Sequence, residues 1–143
     1  MRLVISNIAV DAAIEYVGVA LDGTMGVPKG PDNVAWFQFG PRPGEVGSAV
    51  IAGHYGWKDN RPAAFDKVFT LQKGDTLSVQ DDKGKMITFV VRESRLYDPK
   101  GDANDVFVST DGKAHLNLIT CEGVWDAVSK SYSKRLVVFA DKE

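Results

Sequence analysis

Short apolar runs alternate with polar breaks along this chain, and most of the runs are too short for a helix. Residues 3–19, LVISNIAVDAAIEYVGV, are rich in β-branched and aliphatic residues with a break at Asn7 or Asp11, which predicts two short strands. A glycine- and proline-rich loop follows at 22–33, then the apolar runs VAWFQFG (34–40) and SAVIAGHYG (48–56), parted by PRPGEVG. DTLSVQD (75–81), a DKG turn and KMITFVVRESRLYD (85–98) predict a long β-hairpin. The polar loop 99–113 leads to HLNLITC (115–121), and a second polar stretch, 122–133, leads to a last strand, KRLVVFA (134–140), opened by Arg135. A 3.6-residue period surfaces once. In RPAAFDKVFTLQKG (61–74), Phe65, Val68, Phe69 and Gln72 fall at i, i+3, i+4 and i+7 between a Pro62 start and a Gly74 stop, which predicts a short helix.

About eight short strands with one or two short helices suit a closed β-barrel better than an alternating βαβ sheet. The length of 143 residues fits one domain, 1–143, with its own core. A net charge of −2, with no lysine or arginine run, gives no basis for binding nucleic acid or an anionic membrane. One cysteine excludes an internal disulfide, and two histidines with it are too few for a closed zinc site. No apolar stretch is long enough to span a membrane.

The chemistry therefore turns on one thiol. Cys121 ends an apolar strand, with Glu122 and Gly123 turning the chain behind it. An unpaired cysteine commonly packs as a small hydrophobe. Strand parity argues against that here: Leu116, Leu118 and Thr120 share one face, while Asn117, Ile119 and Cys121 share the other. A thiol near pKa 8.5 is only a few per cent ionised at neutral pH, so a nucleophile needs a helper. His115 is six residues away along an extended strand, about 20 Å, and reads as structural or surface. His54 ends its own apolar strand between Gly53 and the Tyr55-Gly56 pair, where the backbone can bend and turn the imidazole to a cleft. Arg135 offers a planar fork of donors suited to a carbonyl or a developing oxyanion. Asp98, Asp102 and Asp105 in one loop lack the spacing of an EF-hand. Ser129, Ser131 and Ser133 lack the nucleophile elbow of a serine hydrolase.

NLITC, then a loop and KRLVVFA, with AVIAGHYG upstream, resembles the sortases, cysteine transpeptidases of Gram-positive bacterial surfaces. The family's signature is Thr-Leu-x-Thr-Cys on one strand, a histidine after an apolar strand, and an arginine on the next strand. Here 67 residues separate His54 from Cys121, and 14 separate Cys121 from Arg135. AAFDKVFTLQKGDTLSV and MGVPKGPDNVAWFQFGPRPGEVGSAVIAGH extend the likeness over nearly the whole chain. One departure is Asn117 at the first threonine position, four residues from the thiol and expected to matter little.

The resemblance implies a sortase-type barrel with Cys121 as nucleophile, His54 as proton carrier and Arg135 as oxyanion stabiliser. It implies a substrate-positioning role for Thr120, and it makes Val106 and Phe107 in the loop 99–113 candidates for the wall of the peptide groove. It implies a sorting signal of Leu-Pro-x-Thr-Gly type as substrate, with an amine from a peptidoglycan precursor or a pilin as acceptor. No cofactor is implied, with calcium held by loop acids as the lesser alternative. A non-pilin role is favoured because no lid segment precedes the barrel. Location at the extracellular face, through an amino-terminal anchor outside this chain, follows from the resemblance alone. The alternatives are a cysteine hydrolase on the same site and a non-catalytic barrel whose thiol is inert.

Overall fold

The computed structural model describes residues 1–21, 23–98, 104–120, 124–126 and 131–143, with side chains described up to residue 120 and again from 135. Nine strands form one sheet: β1 (Arg2–Ile5), β2 (Val10–Val17), β3 (Val34–Phe37), β4 (Gly47–Gly53), β5 (Thr76–Gln80), β6 (Met86–Tyr97), β7 (Ala114–Thr120), β8 (Val124–Asp126) and β9 (Ser131–Lys142). Their order is β6-β5-β1-β2-β3-β4-β7-β9-β8, and β6 also pairs with β9. That last pairing closes eight strands into a barrel and leaves β8 as a short flap on β9. Closure leaves no open edge among the eight, which removes the usual liability of a β-sheet.

Alternation along each strand builds the interior. Leu3 and Ile5, Ala12 and Ile14, Val34 and Trp36, Ala49 and Ile51, Leu77 and Val79, Phe89 and Val91, Leu116 and Leu118, and Leu136 and Val138 all join one buried cluster. Two pairings are parallel, β2 with β3 and β4 with β7; the others are antiparallel. The predicted hairpin over 75–98 forms as β5 and β6, with Gly84 at φ 84° in its turn.

The helix predicted over 61–74 does not form. Only a single 3-10 turn, Val68–Thr70, lies there. The Asp66 carboxylate accepts the N–H groups of Gly56 and Ala63, and the Phe65 N–H goes to the His54 carbonyl, so the backbone is committed to loops instead of an i→i−4 ladder. Phe65 and Val68 are buried as the pattern asked, but Phe69 is 56% exposed. Among the described residues the α-helix is α1 (Asn104–Phe107), in the stretch read as a polar loop. Strand β9 begins at Ser131, so Arg135 lies inside it and not at its opening.

Candidate active site at one end of the barrel

Strands β4 and β7 run parallel and end together. Gly53 is in register with Thr120, the last residue of β7. His54 follows Gly53 directly. Gly53 is dictated by packing: a Cβ there would stand 2.6 Å from the Phe65 ring. The Phe65 ring can therefore lie flat under the strand end, and its N–H holds the His54 carbonyl at 3.0 Å.

The His54 side chain is 5% exposed. Its Nε2 lies 2.8 Å from the Pro28 carbonyl oxygen. A carbonyl only accepts, so Nε2 carries the proton and donates. In the neutral ring the lone pair is then on Nδ1, a buried atom with no partner among the described residues. Trp57 meets the ring edge to face, with centroids 4.8 Å apart, and fixes its plane. Among the described residues, then, the ring is held through one nitrogen.

Arg135 reaches the same end from β9. Its Nη1 donates to the Thr120 carbonyl at 3.3 Å, and a guanidinium carries five N–H donors in a planar fork. Thr120 is 1% exposed, and its hydroxyl accepts the Leu136 N–H at 3.1 Å. The hydroxyl thus ties β7 to β9 beside Arg135. Cys121, the next residue along the chain, lies outside the described residues.

Val106 and Phe107 sit further back, on the outer face of the barrel. Val106 is fully buried against Val50, Val137 and Phe139, and Phe107 meets Phe37 edge to face at 5.6 Å. Of the acids considered for calcium, Asp102 is outside the described residues, while Asp105 accepts bonds from Arg95 and Tyr97. Among the described residues, no group of three His, Cys, Asp or Glu side chains is arranged to hold a metal ion. No described helix is long and apolar enough to cross a membrane. His115, read as structural or surface, is structural: buried, and bonded through both ring nitrogens to Asp111 and Asp141.

Sequence reasoning missed Pro28, because its part is played by a main-chain carbonyl that no side-chain pattern reveals. Trp57 was within reach, as an aromatic three residues past a glycine-flanked histidine.

None of the curated proteins matches the chain in sequence. Solved structures do match in fold. A crystal structure of sortase C-1 from Actinomyces oris superposes with a TM-score of 0.74 at 24% identity, over 99% of this chain and 72% of that one. A lid mutant of sortase A from Corynebacterium diphtheriae gives 0.76 at 20% identity, over 99% and 68%. A sortase D5 transpeptidase from Clostridium perfringens gives 0.71 at 22% identity, over 99% and 77%. The family model for the sortase domain matches residues 3–143, nearly the whole chain: the chain belongs to the sortase family.

Proposed function

We propose that this protein is a cysteine transpeptidase that cleaves a Leu-Pro-x-Thr-Gly-like sorting signal and joins the new carboxyl end to an amine. The observation that supports this best is the convergence at one strand end. Gly53 pairs with Thr120, His54 follows with an Nδ1 that has no partner among the described residues, and Arg135 reaches the carbonyl of the residue before the sole cysteine.

The Cys121 thiolate attacks the carbonyl carbon of the signal's threonine. Arg135, through its fork of N–H donors, stabilises the oxygen as it gains charge. The bond to the glycine nitrogen breaks, and protonated His54 gives its Nδ1 proton to the departing amine. A thioester remains on Cys121. The acceptor amine then attacks the thioester carbon, His54 takes the amine's proton on Nδ1, and the carbon–sulfur bond breaks to return the thiolate. Pro28 keeps the proton on Nε2 throughout, so only Nδ1 changes state.

No cofactor takes part in this sequence of steps. The acceptor fitting this chemistry is a primary amine of a peptidoglycan precursor or a pilin, and the reading carries with it a location at the extracellular face of the membrane. Intact-mass spectrometry after incubation with a Leu-Pro-x-Thr-Gly peptide and excess triglycine tests it, with Cys121→Ala as control. The expected product is the peptide joined to triglycine, formed only with the thiol. Cleaved peptide without joining would point to a hydrolase, and no product or adduct with an alkylation-resistant thiol would point to an inert barrel.

A further inference from the structure

The barrel has a second apolar cluster on its outside. Val50, Val137 and Phe139 turn away from the interior, with Phe37, Tyr97 and Ile119 beside them. This face of β7 buries His115 near the strand start and, beside Ile119, Asn117, which is 1% exposed. Its Nδ2 donates to the Val106 carbonyl of α1 at 2.7 Å. Its Oδ1 is buried with no partner among the described residues. An amide that leaves an acceptor unmet in apolar surroundings is a poor packing residue, so its value lies in the bond it does make.

That bond has a clear object. A helix of four residues does not hold itself together, so the position of α1 depends on ties to the barrel. At the rim, Asp105 accepts from Tyr97 at 2.9 Å and from Arg95 at 3.0 Å, but Asp105 and Arg95 are exposed and their ion pair is screened. The Asn117 bond is buried and is not. Asn117 pairs with Val50, three residues before the Gly53–Thr120 pair. At 3.3 Å per residue this anchor is about 10 Å from the strand end, the span of three residues of extended peptide.

We propose that Asn117 is a positioning residue: through the Val106 carbonyl it holds α1 where an extended substrate peptide, its scissile bond at the strand end, lays apolar residues on the outer face. This rests on the peptide-transfer reading above. Substrate binding, not the chemical steps, then depends on Asn117.

Two readouts test it, on Asn117→Leu, which fills the space without a donor, and Asn117→Thr, which keeps a shorter donor. Hydrogen exchange followed by mass spectrometry should show faster exchange over 104–108 in Asn117→Leu, with the rest of the barrel unchanged. Kinetics with a Leu-Pro-x-Thr-Gly peptide and triglycine should show KM raised about tenfold, the scale of one buried hydrogen bond. The kcat should hold within about twofold, and Asn117→Thr should fall between the two. Adding Asp105→Asn to Asn117→Leu should cost less than the sum of the two, because both act on α1. Unchanged exchange over 104–108, or a loss in kcat at constant KM, would overturn the proposal. Should Asn117→Leu fail to fold, Asn117→Thr carries both readouts. A wild-type protein that joins no peptide would instead overturn the transfer reading, and the exchange measurement would still decide whether Asn117 holds α1.

Discussion

The two histidines of this protein are equally buried, each 5% exposed, and sit at opposite ends of the same pair of parallel strands. His115 pairs with Ser48 near the start of β7, and His54 follows the end of β4, six residues or about 20 Å further on. Their surroundings differ in kind. His115 has Asp141 at 2.7 Å from Nδ1 and Asp111 at 2.7 Å from Nε2, while Arg92 donates to the same Asp141 oxygen. Carboxylates only accept, so both bonds form together only when both ring nitrogens carry protons. His54 spends one nitrogen on Pro28, and the other has no partner among the described residues. A side chain whose every polar atom is satisfied holds a structure; one left half-satisfied in a fixed orientation is available for chemistry.

The strongest break of this comparison is to remove each ring in turn. His54→Ala should lower peptide transfer by about 10²–10⁴-fold, the range for loss of a positioned acid–base group, a far larger effect than any change in the folded fraction. His115→Leu should do the reverse. It costs about 1.5–3 kcal/mol for bonds to charged partners, read by denaturant unfolding, while the folded fraction keeps its turnover.

A second test stays at the chemical end. Arg135→Lys keeps the charge but loses the fork, one nitrogen of which holds the Thr120 carbonyl and others of which meet the substrate oxygen in the proposed reaction. Turnover should fall about a hundredfold, and near-normal turnover would remove Arg135 from the oxyanion role.

The smallest effect lies at the structural end and appears only in acid. The Asp111 carboxyl is held below its ordinary value of 3.8, first by the Lys113 N–H and then by His115. A folded-state value below the unfolded one means that this stabilisation is complete above about pH 3.8. It is lost as pH falls through the lowered value. Asp111→Asn should therefore flatten the acid limb of stability, measured as melting temperature against pH, and leave turnover at neutral pH unaltered.

Much of the contrast was legible in the chain. His54 carried the signal of glycine on both sides at the end of an apolar run, and the distance from Cys121 marked His115 as non-catalytic. The barrel was legible because period-two runs such as TLSVQ and MITFVV admit one reading. The segment 61–74 misled because its 3.6-residue spacing is real at Phe65 and Val68, yet Asp66 caps two loop N–H groups and Phe65 must slide beneath Gly53. Tertiary contacts overrode local preference there. Asn117 was passed over for a related reason. A strand buried on both faces, as β7 is, gives no alternation by which to tell a bonded amide from a tolerated one.

With one thiol in the chain, the most direct test of the division between the two histidines is the pH dependence of Cys121 alkylation by iodoacetamide, measured in the wild type, His54→Ala and His115→Leu. The proposed reaction sets the thiol and the His54 imidazole at one site. The account predicts that His54→Ala displaces the profile and His115→Leu leaves it in place. A profile unmoved by His54→Ala, or displaced equally by both, would contradict it.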